Sequence, residues 1–259
     1  MSLLQTLAAL VPTPVRRRCL EIMDTEFRGV PLALRRHPGG ELRLTLDMVL
    51  AHYRMQHPNV CYLQIGAFDG IAGDPIYALI DRHALRGILV EPQRRAFDQL
   101  KTNYARFDTS RFVFINAAVA AENGSKTLYR VAPADGDPEW LPQLASFDRQ
   151  VIASHAHLIP NLESRIAADQ VRCVTVSTLL EEAGVERIDL LQIDAEGYDA
   201  EILRLFDVPR RRPAIVRFEH KHLSRADHDS AVESLLALRY QVAIGDGDTL
   251  AYRATDGAP

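Results

Sequence analysis

From Val60 onward the chain alternates short apolar runs with helix-forming stretches, and each run stops at a glycine or a polar residue. Val60 to Ile65 ends at Gly66, Gly87 to Val90 ends at Glu91-Pro92, and Phe112 to Ile115 ends at Asn116. Helical patterns over Pro75–His83 and Arg94–Arg106 separate them. After a long interruption, Val176–Ala183 reads as helix and Ile188 to Ile193 as a strand ending at Asp194. A helix over Ala200–Phe206, a strand over Ala214 to Phe218 ending at Glu219-His220, and a helix over Ser230–Leu238 follow. Strands separated by helices demand a parallel sheet with crossover connections. Tyr240–Ile244 and Thr249–Arg253 flank Gly245-Asp246-Gly247-Asp248 and read as a hairpin on the sheet edge.

Two regions stand apart from this alternation. Residues 1–57 read as a helical extension, with helices at Leu3–Leu10, Val15–Glu26 and Leu46–Gln56 punctuated by Gly29, Pro31, Pro38, Gly39 and Gly40. Val131–Val171 carries Pro133, Pro138, Pro142 and Pro160, the single Trp140, and His155 and His157. A segment of that length between sheet strands is expected to be a lid or substrate loop. The sheet domain is thus placed at 58–253, with 254–259 as a flexible tail.

Composition excludes several classes. An apolar share of 47% with 25% charged residues is that of a globular domain rather than a disordered or fibrous chain. A net charge of −4 argues against a duplex nucleic-acid partner, which calls for a basic excess. No apolar run reaches the ~18 residues of a membrane helix, and Met1 to Val11 lacks the charged start of a signal peptide. Cys19, Cys61 and Cys173 are odd in number and far apart, so buried thiols in a reducing cytoplasm are expected. The apolar N-terminal helices offer a surface for the sheet or for a second subunit, which leaves homo-oligomerisation open.

The polar strand ends carry the chemistry. In an open α/β sheet the ligand crevice lies at the carboxyl ends of the strands, and Gly66, Glu91, Asn116, Asp194 and Glu219 form one such rim. Gly66-Ala67-Phe68-Asp69-Gly70 is a turn whose glycines let backbone approach a ligand, or simply a tight strand-to-helix connection. Glu91 lies 25 residues after Gly66, where an acid accepts the two hydroxyls of an adenosine ribose; an acid there also suits a helix start. Turn and acid together fit NAD, FAD or S-adenosylmethionine. The turn lacks the middle glycine of a pyrophosphate loop, and Asp69 places an anion where phosphate would sit, so charge favours the sulfonium cofactor. Asp194 and Glu196, two residues apart past a strand, are candidates to polarise and position an acceptor hydroxyl, or alternatively helix caps. His220 is a candidate proton acceptor. His155 and His157 offer two imidazoles with no acid close in sequence, so no metal site is assigned.

Four blocks in this order resemble the FkbM-type methyltransferases: Leu63-Gln64-Ile65-Gly66-Ala67-Phe68-Asp69-Gly70, Val90-Glu91-Pro92, Asn116-Ala117-Ala118-Val119, and Ile188 through Leu203 with its Ile-Asp-x-Glu-Gly core. The resemblance spans roughly Val60 to Tyr252. It departs from the usual pattern at Gln64 (an acid in many members), Gln192 (a lysine) and Asp199 (a glutamate). It implies a class I methyltransferase fold: a Rossmann-like α/β sheet, mostly parallel and seven-stranded, with an antiparallel edge hairpin.

The resemblance also implies S-adenosyl-L-methionine as cofactor and a hydroxyl of a sugar, glycan or small natural product as methyl acceptor. Gly66, Ala67, Phe68, Asp69 and Gly70 would line the methionine part, with Gln64 beside them. Glu91 would hold the ribose next to Pro92, and Asn116 and Ala117 would flank the adenine. Asp194, Glu196 and His220 would face the acceptor, with His220 or Asp194 as base and Glu196 as orienting group. Two other readings stay open: an NAD(P)-dependent oxidoreductase on the same turn and acid, and a binding module that keeps the fold without turnover.

Overall fold

The apolar runs become strands buried on both faces, as an interior parallel sheet requires. In the computed structural model the described residues are 45–253, plus two paired two-residue strands, Arg36–His37 and Gly40–Glu41. The helices expected at Leu3–Leu10 and Val15–Glu26, Cys19 and the tail 254–259 lie outside the described residues.

Strand β1 is Cys61–Ile65, β2 Arg86–Val90, β3 Phe112–Ile115, β4 Ala118–Val119, β5 Gly124–Val131 and β6 Ala145–Ser146. Strand β7 is Ile166–Val174, β8 Leu190–Ile193, β9 Ile215–Glu219, β10 Gln241–Ile244 and β11 Asp248–Tyr252. The main sheet has seven strands in the order β10-β11-β9-β8-β1-β2-β3. β3, β2, β1, β8 and β9 run parallel, while β10 and β11 form the antiparallel edge hairpin. This is the α/β Rossmann-like sheet of class I methyltransferases, as expected.

Register explains the rim. Ile65 pairs with both Val90 and Ile193, Val90 with Ile115, and Ile193 with Phe218. The next residue on each strand is Gly66, Glu91, Asn116, Asp194 or Glu219, so the five stand side by side. The chain moves from β1 to β2 and β3, then returns on the other side of β1 as β8 and β9. The strand order therefore reverses between β1 and β8, where such sheets bind ligands.

Helices cover both faces. Helix α1 (Leu46–Arg54) is capped by Thr45, whose Oγ1 accepts from Met48 N. Its buried Leu46, Val49, Leu50 and Tyr53 fall at helical spacing and pack on the sheet face that carries Tyr62, Leu89 and Leu190, together with α2 (Arg94–Tyr104). Tyr53 donates to Asp189 Oδ1 at 2.8 Å, and Asp189 Oδ2 accepts from Cys61 N at 2.9 Å. α1, assigned from sequence to the N-terminal extension, is thus fastened to the starts of β1 and β8. The opposite face, with Leu63, Ile65, Leu191, Ile193 and Phe218, holds residues of the later helices.

Three expectations change. Pro75–His83 contains only a single 3-10 turn, Tyr77–Leu79. Asp69 Oδ1 takes the amides of Ile71 and Ala72, and Asp74 Oδ1 those of Ile76 and Tyr77, which offers the backbone an alternative to a helical ladder. The segment Val131–Val171 is not a bare loop. It carries β6, α3 (Arg149–Ala153), α4 (Leu162–Arg165) and much of β7, around its own core of Leu141, Leu144, Ile152, Ile159 and Leu162. β4, β7, β5 and β6 form a second, four-stranded sheet in that order.

The third change concerns the last helix. α5 (Val176–Ala183), α6 (Asp199–Phe206) and the short α7 (Val208–Arg211) precede α8, which starts at Arg225 rather than Ser230. Ser224 Oγ caps it by accepting from Asp227 N. Among the described residues no helix is long and apolar enough to cross a membrane.

Candidate active site

Gly66 sets how close the central strands come. At φ +80°, a Cβ there would lie 1.7 Å from the Asp194 carbonyl oxygen, so only glycine lets the ends of β1 and β8 touch. The amides of Gly66 and Ala67 both donate to the Val90 carbonyl at 3.0 Å, folding the turn onto β2. Phe68 follows at φ 45° and donates its amide to Glu91 Oε2 at 2.8 Å, while Glu91 Oε1 accepts from Gln93 N at 2.7 Å. Glu91 is 3% exposed. Burial pushes its carboxyl up to about 7, although the Gln93 and Phe68 amides favour the anion.

A cleft, continuous with solvent, opens over this junction. Of the residues expected from sequence, Gln64, Gly66, Ala67, Phe68, Glu91, Pro92, Ala117, Asp194 and Glu196 line it. Asp69, Gly70, Asn116 and His220 are not in its wall. Asp69 is occupied with the amides of Ile71 and Ala72. Gly70, at φ +73°, backs α2: a Cβ there would lie 2.4 Å from Leu100 Cδ1. Asn116 Nδ2 donates to the carbonyls of Glu91 and Pro92 at 2.8 and 3.1 Å, bracing the acid's backbone. His220 Nδ1 is 3.0 Å from Thr249 Oγ1 and its ring stacks on His228 at 4.3 Å, toward the β11 edge.

The floor of the cleft is polar. Gln64 and Gln192 are paired across β1 and β8, and Gln192 pairs in turn with Arg217 on β9. Arg217 donates to Gln192 Oε1 at 3.2 Å and pairs with Asp248 at 2.6 Å. Gln64 Nε2 donates to Asp74 Oδ2 at 3.0 Å, and burial raises the Asp74 carboxyl. Gln64 Oε1 is buried without a hydrogen-bond partner. An orphaned acceptor of this kind in a cleft wall fits a ligand donor such as an ammonium group.

The far side of the cleft gathers carboxylates. Asp194 is pushed well above the ordinary range by burial first, then by Glu219, Glu196 and Asp199. Asp199 is 1% exposed, accepts from the amides of Ala195 and Gly197, and is raised to about 7 by burial. Glu196, at φ 48°, sits 2.9 Å through Oε2 from His222 Nε2, which raises the imidazole. Its backbone carbonyl accepts from Ser146 Oγ at 2.9 Å, joining β6 of the second sheet to the rim. Sequence reasoning missed His222, Asp74 and Ser146. No periodic pattern reaches them, because each acts from a loop or a two-residue strand.

A family profile described as the methyltransferase FkbM domain matches residues 64–242. No curated protein matches the chain. The methyltransferase FkbM from Methylobacillus flagellatus KT is 14% identical with a TM-score of 0.46; the match covers 96% of this chain and 57% of that one. The present chain thus spans little more than half the length of that protein. The precorrin-6y C5,15-methyltransferase of Geobacter metallireducens GS-15 is 13% identical, with a TM-score of 0.40 and coverage of 80% and 87%. The N-terminal domain of human METTL16 in complex with SAH is also 13% identical, with a TM-score of 0.41 and coverage of 94% and 84%. The profile takes in the glycine turn, the acid after β2 and the Ile-Asp-x-Glu-Gly block over more than half of the sequence, and the chain belongs to the FkbM methyltransferase domain family.

Proposed function

We propose that the protein is an S-adenosylmethionine-dependent methyltransferase that acts on a hydroxyl of a sugar or natural-product acceptor. The observation that carries this reading is the Glu91 carboxylate, held in the cleft by the Phe68 amide and level with Gly66 and Asp194. When bound, the cofactor supplies a methyl carbon made electrophilic by the adjoining sulfonium. Glu91 accepts the ribose hydroxyls with the lone pairs its two amide bonds leave free. Gln64 Oε1 and Asp74 receive the ammonium end. Asp74, Glu91, Asp194 and Glu196 all line the cleft, an acidic wall that favours a cationic nucleoside over a pyrophosphate.

The acceptor side falls to Asp194 and Glu196. Asp194, in the cleft wall at the end of β8, is the group placed to take the hydroxyl proton, while Glu196 orients the acceptor. The protein's main contribution is alignment, worth several kcal/mol of barrier, on the order of the proximity effect. Ser146 and Phe147, from the Val131–Val171 segment, also line the cleft. That segment acts as the cover that excludes water from the reacting groups.

Titration calorimetry of the full chain with S-adenosylhomocysteine and with NAD tests the cofactor. Saturable binding of the first alone is expected; binding of NAD alone overturns the reading. Mass spectrometry of sugar and natural-product alcohols incubated with enzyme and S-adenosylmethionine then reads a gain of one methyl group.

A further inference from the structure

Behind the acceptor side of the cleft, Glu196, Glu219 and His222 each present one ligand atom, and the three atoms lie within 4.8 Å of one another. The chain builds the group from two strand ends. Glu219 closes β9, and the turn after it, with Leu223 N donating to the His220 carbonyl at 3.1 Å, returns His222 over the loop that follows β8. Gly197, whose φ of +95° favours glycine, forms the turn beside His222.

We propose that Glu196, Glu219 and His222 bind a divalent transition-metal ion at the edge of the cleft. Two separate observations carry this. The first is donor geometry. His222 Nε2 is 2.9 Å from Glu196 Oε2 and 4.0 Å from Glu219 Oε2. These distances bracket the ~3.4 Å edge of a tetrahedron whose ligands stand ~2.1 Å from the metal. The second is an unmet acceptor. Glu219 is 7% exposed, its Oε1 accepts from Lys221 Nζ at 3.0 Å, and its Oε2 is buried without a hydrogen-bond partner. A buried carboxylate oxygen left bare is costly, and a cation beside it removes that cost.

The chemistry of the set narrows the ion. Two carboxylate oxygens and one imidazole nitrogen suit Mn²⁺ or Zn²⁺, and the absence of thiolates from the trio disfavours soft ions such as Cu⁺. With the imidazole neutral, two carboxylates carry two negative charges, which one divalent ion balances. Three protein ligands leave coordination positions open for water or an acceptor oxygen, the arrangement of a catalytic rather than a structural site. Glu196 belongs both to this trio and to the cleft wall, so the site adjoins the cleft. His155, with its ring 5.4 Å from that of His222, is the nearby imidazole outside the trio.

The site stands on its donors and does not need the methyl-transfer reading, so binding is measured directly. Full-length protein stripped with chelator is titrated with MnCl₂, and free Mn²⁺ is read by electron paramagnetic resonance; ZnCl₂ competition gives the second ion. One saturable site per chain is expected. Glu219→Gln and His222→Gln each weaken it at least tenfold, and His157→Ala leaves it unchanged. Circular dichroism melts of the metal-free variants check that each is folded, and either of the first two alone suffices. No saturable binding of either ion by the parent protein, or unchanged affinity in a folded Glu219→Gln, overturns the proposal. S-adenosylhomocysteine affinity, measured on the same metal-free sample, reports on the cofactor reading separately.

Discussion

Phe68 donates its backbone amide to Glu91 Oε2 at 2.8 Å, so the turn after β1 and the acid after β2 form one hydrogen-bonded unit. Neither can move without the other. On the proposed reading, this backbone bond preorganises the ribose grip and lowers the cost of ordering it on binding.

Glu91→Ala is expected to weaken S-adenosylhomocysteine binding by more than tenfold. It removes the ribose acceptor and releases the amides of Phe68 and Gln93 together. Calorimetric affinity equal to that of the parent protein would refute the ribose assignment.

The same carboxyl makes stability depend on pH. Burial raises it in the folded state to about 7 from an ordinary value of 4.5. Between those values the folded state holds the proton more firmly than the unfolded state does. Stability is therefore highest below about 4.5 with respect to this group, and falls by about 3 kcal/mol as pH rises through 7. Asp199, raised likewise to about 7, adds a slope of the same sign. Urea unfolding at intervals from pH 5 to pH 8 is expected to show a shallower decline for Glu91→Gln than for the parent protein.

Gly66→Ala is expected to lose more than 2 kcal/mol of stability or fail to fold, since the added carbon meets the Asp194 carbonyl in a left-handed backbone. Thermal melts check this. A variant with an unchanged melting temperature would mean that β1 and β8 are not in contact at their ends.

Asp194→Asn and His220→Ala are expected to part company. Asp194 lines the cleft and His220 does not. Turnover falls at least 10²-fold in the first, within the range of a lost acid–base group, and stays within a few-fold in the second. Cofactor affinity stays near that of the parent protein in both. Rate assays under saturating cofactor distinguish the outcomes.

Tyr53→Phe is expected to cost about 1–3 kcal/mol without altering cofactor affinity, because it strips a partner from the buried Asp189 carboxylate. Denaturant midpoints and calorimetry on the same sample separate the two effects.

The rim was legible because each core strand is a short apolar run with an abrupt polar stop, and pairing register places those stops level. Glu91 and Asp194 follow from that logic, whereas Gln64, inside β1, follows only from the family resemblance. The second sheet was hidden for a physical reason. Gly124 pairs with Cys173 across a long excursion, and the pair includes Lys126, Thr127, Asp169 and Gln170 on a half-exposed surface. Neither strand has an apolar run to announce it.

His220 and His222 show the limit at finer scale. The residue directly after β9 donates its amide to the Gly247 carbonyl at 2.8 Å and lies on the β11 side. The turn it begins delivers the histidine two positions later to Glu196. Strand-end reasoning finds the place where the chain leaves the sheet, but the side chain that returns to the cleft depends on the turn.

The hydrogen bond from Ser146 to the Glu196 carbonyl joins two units that each bury their own apolar centre. Such modularity has an evolutionary corollary. On the proposed reading, substitutions in β5 or α3 change which acceptor is admitted and leave the proposed nucleoside seat on the larger unit untouched.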